Sequence, residues 1–130
     1  MQPVPLRILL VENHEDTLRA LTSYLEQMGH TVLGARSMNE GLAAIPSADF
    51  DVLISDIGLP DGDGWELLRR APLPRPIFAI AMSGFGLSAD DRISKAAGYR
   101  HHLLKPFAPD DLDELLAEAA AEIASEGLAR

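Results

Sequence analysis

The sequence contains no cysteine, which excludes disulfide bonds, thiolate metal sites and cysteine nucleophiles at once. That composition fits a reducing compartment without requiring one. Long apolar runs are also missing: the run Leu6–Val11 is broken by Glu12, and no stretch approaches the roughly 18 residues that a membrane span needs. We therefore expect a cytoplasmic protein without membrane insertion.

Clustered positive charge is missing too. The chain carries 11 Lys and Arg against 20 Asp and Glu, and the basic residues are scattered. An acidic chain of this kind repels nucleic-acid backbones, so we expect no direct nucleic-acid binding. At 130 residues without an internal repeat, linker or low-complexity tract, we expect one domain over residues 1–130, with a core of about 6–124.

Five short apolar runs rich in branched side chains predict β-strands. The third and fourth are almost continuously hydrophobic, which is typical of strands buried on both faces of a parallel sheet. The runs are Leu6–Val11, Thr31–Ala35, Asp51–Ser55, Ile77–Met82 and Arg100–Leu104.

Segments with helical periodicity separate these runs. Gly29 is placed to end the first helix at the C′ position, and Ser37 with Glu40 resembles a capping box that opens the second. Pro46 is expected to end the second helix, and Trp65–Arg70 predicts a short third helix. Ser88 or Asp91 could cap a fourth helix that reaches Gly98. Pro109 is expected to begin the fifth helix, whose buried stripe is Leu112, Leu115, Leu116, Ala119 and Ile123.

Five strand–helix units with right-handed crossovers predict an α/β fold, a doubly wound parallel five-stranded sheet. The common strand order for five strands is 2-1-3-4-5, the flavodoxin-like order, with its switch point between the first and third strands. Ligands of such sheets bind beyond the carboxyl ends of the strands. The residues at those ends are Glu12–Asn13, Asp56, Ser83–Gly84 and Lys105–Pro106.

These residue types suit phosphoryl transfer, which needs an in-line nucleophile, a divalent cation and fixed donors for the remaining charge. The Asp56 carboxylate is the candidate nucleophile because it can form an acyl phosphate. Hard oxygen ligands for Mg²⁺ are available from Glu12, Asn13 and the Gly58 carbonyl. Donors to the phosphoryl group are the Ser83 hydroxyl, the Lys105 ammonium and the backbone N–H groups after Asp56 and Ser83, the latter that of Gly84.

Each residue taken alone also has a purely structural interpretation. Asn13 could equally cap the next helix, Asp56 could form a turn, and Ser83–Gly84 is a common turn pair. The convergence of all four strand ends favours an active site.

Four blocks in this order resemble the receiver domain of bacterial response regulators, over Arg7 to about Ile123. The resemblance implies that Asp56 accepts a phosphoryl group from a histidine kinase or His-phosphotransfer protein with Mg²⁺ (or Mn²⁺), and that a protein-interaction surface then switches toward a downstream protein. The blocks are Ile-Leu-Leu-Val-Glu-Asn at 8–13, Asp-Val-Leu-Ile-Ser-Asp-Ile-Gly-Leu-Pro-Asp-Gly-Asp-Gly at 51–64, Ala-Ile-Ala-Met-Ser-Gly at 79–84 and His-Leu-Leu-Lys-Pro-Phe at 102–107.

The resemblance also assigns individual roles. Asp56, Glu12, Asn13 and the Gly58 backbone oxygen would hold the metal. Ser83, Gly84 and Lys105 would bind the phosphoryl group, Ser83 and His102 would form the switch, and the bond before Pro106 would be cis. The chain is then a phosphoacceptor, not an enzyme beyond self-phosphorylation and self-dephosphorylation. The sequence contains no output domain, so we expect a stand-alone receiver or a receiver segment of a larger protein such as a hybrid kinase.

Two positions depart from the family pattern. Asn13 stands where receivers usually have a second acid, which predicts weaker Mg²⁺ binding. His102 stands where the switch residue is usually Tyr or Phe; its imidazole is expected to rotate inward when Ser83 is drawn to the phosphoryl group, and adds a pH dependence.

Other readings remain as alternatives. A degenerate receiver would act as a phosphorylation-independent adaptor, supported by Asn13 and His102. A hydrolase of related fold would place a general acid where Gly58 stands. A zinc site at His101 and His102, helped by His14 or His30, conflicts with the alternation of strand side chains. The acidic last helix speaks against a dimer that uses basic residues there, so we expect a monomer or weak dimer.

Overall fold

Each predicted strand is present, within one residue at either end, in the computed structural model, which describes residues 4–47, 49–73, 76–84 and 91–129. A hairpin of two short strands after the third strand was not predicted. The strands are β1 Arg7–Val11, β2 Thr31–Ala35, β3 Val52–Asp56, β4 Gly58–Leu59, β5 Gly62–Asp63, β6 Phe78–Ser83 and β7 His101–Leu104.

The helices follow the strands as the repeated strand–helix order requires. The third helix begins one residue earlier than predicted because the Asp63 carboxylate caps it, accepting the Glu66 N–H at 2.7 Å. Ser88, one of the two proposed caps of the fourth helix, lies outside the described residues. The helices are α1 Glu15–Gln27, α2 Met38–Ala44, α3 Gly64–Arg70, α4 Asp91–Ala97 and α5 Pro109–Ala129, and a 3₁₀ turn at Ile45–Ser47, which contains Pro46, follows α2.

Local sequence signals set several helix ends. Gly29 after α1 and Gly98 after α4 have φ values of 99° and 114°, a left-handed conformation that suits glycine. At α2 the Ser37 Oγ accepts the Glu40 N–H at 3.1 Å, as predicted. The Glu40 carboxylate accepts the N–H of Arg36 at 3.1 Å. In a strict capping box it would accept the N–H of the cap residue itself, Ser37.

The main sheet within the described residues has five strands in the order β2-β1-β3-β6-β7, and every neighbouring pair is parallel. Strands β4 and β5 pair with each other in a separate antiparallel hairpin. Without that hairpin the order is the predicted 2-1-3-4-5, so the doubly wound α/β fold is confirmed. Its switch point puts the ends of β1 and β3 side by side.

Alternate residues of the strands enter two cores, one on each face of the sheet. Both cores are almost entirely apolar, which explains the near-continuous hydrophobic runs of β3 and β6. The first core, against α1 and α5, includes Ile8, Leu10, Val52, Ile54, Ile80 and Met82. The second, against α2 and α3, includes Leu9, Val11, Leu53, Ile57, Ala79 and Ala81.

Helix α5 covers the first core with the stripe that its periodicity predicted. Leu112, Leu116 and Ala119 are buried, and Leu115 and Ile123 pack against them partly exposed. The other side of the helix is acidic. Among the described residues, no helix has both the length and the apolar character to cross a membrane.

His30 is a buried titratable residue at the start of β2. Its Nδ1 accepts the backbone N–H of Leu6 at 3.1 Å, and 6% of the residue is exposed. Burial lowers the pKa of His30 below its ordinary value of 6.5, and the charge of Asp113 opposes this only in part. The neutral ring is also the form that can accept the Leu6 hydrogen bond, so protonation would break this tie between β1 and β2.

We expect His30 to make the fold less stable in mild acid. The pKa of His30 is lower in the folded state than in the unfolded state. Its contribution to the free energy of unfolding is therefore complete above pH 6.5 and is lost as the pH falls from 6.5 toward the pKa of the folded state. In His30→Asn the amide oxygen can still accept the Leu6 N–H, but the amide does not take up a proton in mild acid. Chemical denaturation between pH 7.5 and about pH 5 should show a steeper stability loss in the wild type than in the variant. Equal slopes would contradict the assignment.

Candidate functional site

The carboxyl-terminal edge of the sheet collects the polar residues that the topology predicted. Asp56 is the last residue of β3, Glu12 follows β1, and Lys105 follows β7. Ser83 ends β6, the strand between β3 and β7, and its carbonyl accepts the Lys105 N–H at 2.8 Å. The parallel register therefore places all four residues at one edge.

A lysine joins two carboxylates at this edge. The Lys105 Nζ donates to the Asp56 Oδ2 at 3.0 Å and to the Glu12 Oε1. Glu12 is 1% exposed, and its other oxygen accepts the His14 N–H at 2.9 Å. Buried carboxylates are costly without such partners, so the three side chains stabilise one another where strands β1, β3 and β7 end.

The charges of this group are incompletely balanced. Burial raises the pKa of Asp56 above its ordinary 3.8, and the negative charge of Glu12 adds to this, while Lys105 acts in the opposite direction. Burial acts to lower the pKa of Lys105, but its bonds to Glu12 and Asp56 outweigh burial and raise it. Lys105 is thus firmly protonated, and two carboxylates share one positive charge.

That imbalance fits a divalent cation. Two carboxylates, the Asn13 amide and the Gly58 carbonyl are hard oxygen donors of the kind Mg²⁺ prefers. Asn13 is exposed in the loop after β1, and Gly58 is exposed in β4 next to Asp56. Burial and then the charge of Glu12 raise the pKa of Asp56, and a cation bound here would act against both effects.

Ser83 is fully buried and faces the imidazole of His102. The Ser83 Oγ lies 2.6 Å from His102 Nε2, and the other ring nitrogen, Nδ1, lies 3.1 Å from the Oγ of Ser94 in α4. The structure therefore brings Ser83 and His102, the two residues named as the switch, into contact, and the inward rotation of the imidazole on phosphorylation stays a prediction.

The peptide bond between Lys105 and Pro106 is cis. Gly84, directly after Ser83, has open space around the position that a side chain would occupy.

Comparison with known proteins agrees with this geometry. A family model described as the response regulator receiver domain matches residues 8–117. The chain belongs to this family. A CheY-like receiver domain protein from Methanospirillum hungatei JF-1 has 34% sequence identity and a TM-score of 0.81, covering 92% of this chain and 99% of that one.

Longer proteins contain similar segments. The virulence sensor protein BvgS of Bordetella bronchiseptica is 36% identical over 129 residues, which cover 93% of this chain and 10% of BvgS. The transcriptional regulatory protein HprR of Escherichia coli is 30% identical, covering 91% of this chain and 52% of HprR. This receiver domain thus spans a tenth to a half of the length of these two relatives.

The two adjacent histidines of β7 point to opposite faces of the sheet. His101 bonds the Glu118 carboxylate of α5, whereas His102 bonds Ser83 and Ser94 on the other face. The strand alternation used against a shared zinc site is therefore seen directly. The described residues contain no group of three or more His, Cys, Asp or Glu arranged to hold a metal.

Tyr99 supports the site, although no sequence pattern singles it out. The hydroxyl of Tyr99, which is 2% exposed, donates to the Gly64 carbonyl at 2.6 Å, and Gly64 N–H donates to the Ile57 carbonyl at 2.8 Å. These bonds tie the segment after Asp56 to the turn between α4 and β7. The motif around Asp56 contains Gly64, but no sequence pattern shows that Tyr99 reaches it.

Gly64 is a position where the site tolerates no side chain. A Cβ there would lie 2.6 Å from the Asp56 carbonyl oxygen, whereas a Cβ at Gly58 would meet nothing within 4 Å. We expect Gly64→Ala to displace the Asp56 backbone and lower the free energy of unfolding by about 1–3 kcal/mol. Gly58→Ala is the control and should change it by less than about 0.5 kcal/mol. Denaturant unfolding checks this; an unaffected Gly64→Ala would refute the close contact.

Proposed function

We propose that this receiver domain accepts a phosphoryl group on Asp56 from the phosphohistidine of a histidine kinase or a His-phosphotransfer protein. The observation that carries the proposal is the ion group in which Lys105 joins Asp56 to Glu12 at the end of the sheet. A partly buried carboxylate held by a fixed ammonium, at a strand end beside a hydroxyl donor, is suited to in-line phosphoryl transfer.

In the proposed step an Asp56 carboxylate oxygen attacks phosphorus while the phosphorus–nitrogen bond of the donor breaks. The departing histidine nitrogen takes the electron pair of that bond. Lys105, already bonded to Oδ2, would hold the carboxylate in position and neutralise charge on the transferred group. The Ser83 hydroxyl and the N–H of Gly84 would donate to the phosphoryl oxygens.

A Mg²⁺ or Mn²⁺ ion would be held by Glu12, Asn13, Asp56 and the Gly58 carbonyl. When bound, it would neutralise negative charge that Lys105 alone leaves unbalanced. Gly58 also bears on the chemistry, since a glycine there provides no general acid for hydrolysis. The chain is therefore proposed to hold its phosphoryl group as a signal, with self-phosphorylation and self-dephosphorylation as its only turnover.

Phosphorylation would bias the surface formed by α4 and β7, because Ser83 contacts His102 of β7 and His102 contacts Ser94 of α4. A downstream protein would bind that surface. The acidic side of α5 is engaged within the chain, where Glu118 and Glu122 pair with His101 and Arg100. We propose a cytoplasmic single receiver domain over residues 1–130, a monomer or weak dimer without its own nucleic-acid binding.

Incubation with acetyl phosphate and Mg²⁺, followed by intact-mass measurement, tests the phosphoacceptor role. We expect one phosphoryl adduct on the wild type, none on Asp56→Asn, and none after chelation of the metal, because the carboxylate and the cation are both required. A wild type that takes up no phosphoryl group would favour the phosphorylation-independent adaptor. Continuous release of phosphate over many turnovers would favour a hydrolase.

Asn13 is expected to weaken Mg²⁺ binding. In Asn13→Asp one more negative charge about 4 Å from a divalent cation is worth about 2 kcal/mol in a water-like dielectric. Binding should therefore tighten about thirtyfold. Isothermal titration with Mg²⁺ measures this. Gln27→Glu adds the same charge at the end of α1 and should leave the affinity unchanged. Equal or weaker binding by Asn13→Asp would show that position 13 does not face the metal.

A further inference from the structure

Four side chains from four elements form a continuous hydrogen-bonded chain beside the phosphorylation site. The Trp65 Nε1 of α3 donates to the Ser94 Oγ at 2.9 Å, and Ser94 lies 3.1 Å from His102 Nδ1. His102 Nε2 lies 2.6 Å from the Ser83 Oγ. Ser83 and Ser94 are both fully buried. The chain therefore connects the strand end next to Asp56 with helices α3 and α4.

The direction of each bond is restricted by donor chemistry. The indole N–H of Trp65 can only donate, and a neutral imidazole has one donor and one acceptor nitrogen. Two arrangements satisfy these limits. In the first, Ser83 donates to Nε2 and Nδ1 donates to Ser94. In the second, Nε2 donates to Ser83 and Ser94 donates to Nδ1.

The two arrangements leave a different hydroxyl proton without an acceptor among the described residues. In the first it is the proton of Ser94, buried under α3 and α4. In the second it is the proton of Ser83, at the strand end beside Asp56. A phosphoryl group on Asp56 brings anionic oxygens that can accept from Ser83. Among the described residues, only the second arrangement then gives an acceptor to each buried donor of these four side chains.

We propose that Ser94 is a positioning residue for phosphoryl transfer, which acts through His102 to free the Ser83 hydroxyl proton for the phosphoryl group. By donating to Nδ1, Ser94 makes Nε2 the donor toward Ser83. Trp65 assists, since its N–H occupies one lone pair of Ser94 and leaves the Ser94 proton for His102. The inference rests on the proposed acceptance of a phosphoryl group by Asp56.

Loss of the Ser94 hydroxyl removes the donor that the phosphorylated arrangement needs at Nδ1. The loss of one net hydrogen bond should slow phosphorylation of Asp56 by acetyl phosphate and Mg²⁺ about fivefold in Ser94→Ala. Ser94→Thr keeps a hydroxyl at the same position and should restore most of the rate. Time courses of adduct formation by intact mass measure both variants, and thermal unfolding shows that each is folded.

A double-mutant cycle with His102→Phe separates positioning from a general structural role. Without the imidazole, Ser94 has no route to Ser83, so Ser94→Ala should not slow phosphorylation further in that background. An equal slowing in both backgrounds would overturn the proposal, as would an unchanged rate in Ser94→Ala. If the wild type takes up no phosphoryl group, the proposed function itself fails, whereas an active wild type with an unaffected Ser94→Ala refutes the relay alone.

Discussion

The position of the Lys105 ammonium between Glu12 and Asp56 is the constraint on which the rest of the site depends. The two carboxylates end neighbouring strands at the switch point and are largely buried, so they repel unless a cation lies between them. Lys105 belongs to the sheet edge and must reach across the end of β6. That strand ends in the small residue Ser83, and Gly84, which follows it, has no side chain.

The fold and the site at the strand ends were predictable because each depends on local patterns. Near-continuous apolar runs identify buried parallel strands, the switch point follows from strand order, and residues such as Asp56 and Lys105 come directly after those runs. The hairpin of β4 and β5 was missed since its Pro-Asp-Gly segment has the composition of any turn. The contacts of Ser94 and Tyr99 were missed for another reason: they depend on how α3, α4 and β7 are oriented, which no periodicity records.

Asn13 and His102 both differ from the residues that are usual in the family, and they lie in different parts of the site. Asn13 lies beside the carboxylates, and His102 contacts Ser83. An aspartate at position 13 would place a further negative charge near Glu12 and Asp56, which share one ammonium. Asparagine avoids that repulsion and keeps an amide oxygen, so the proposed metal site would carry one negative charge fewer. His102 gives the proposed switch position two hydrogen-bonding nitrogens, where an aromatic hydrocarbon ring would offer none.

The ion group and the hydrogen-bonded side chains around His102 are joined by one backbone bond. The Lys105 N–H donates to the Ser83 carbonyl where the ends of β6 and β7 pair. This pairing fixes the main chain of both residues, so a phosphoryl group that draws on Ser83 cannot easily shift the strand without also moving the lysine that balances Asp56. A hydroxyl proton and an imidazole tautomer can change while the strands stay in register. In the proposed relay, the hydrogen-bonded side chains toward α4 would therefore be a less costly route for the signal than displacement of the sheet.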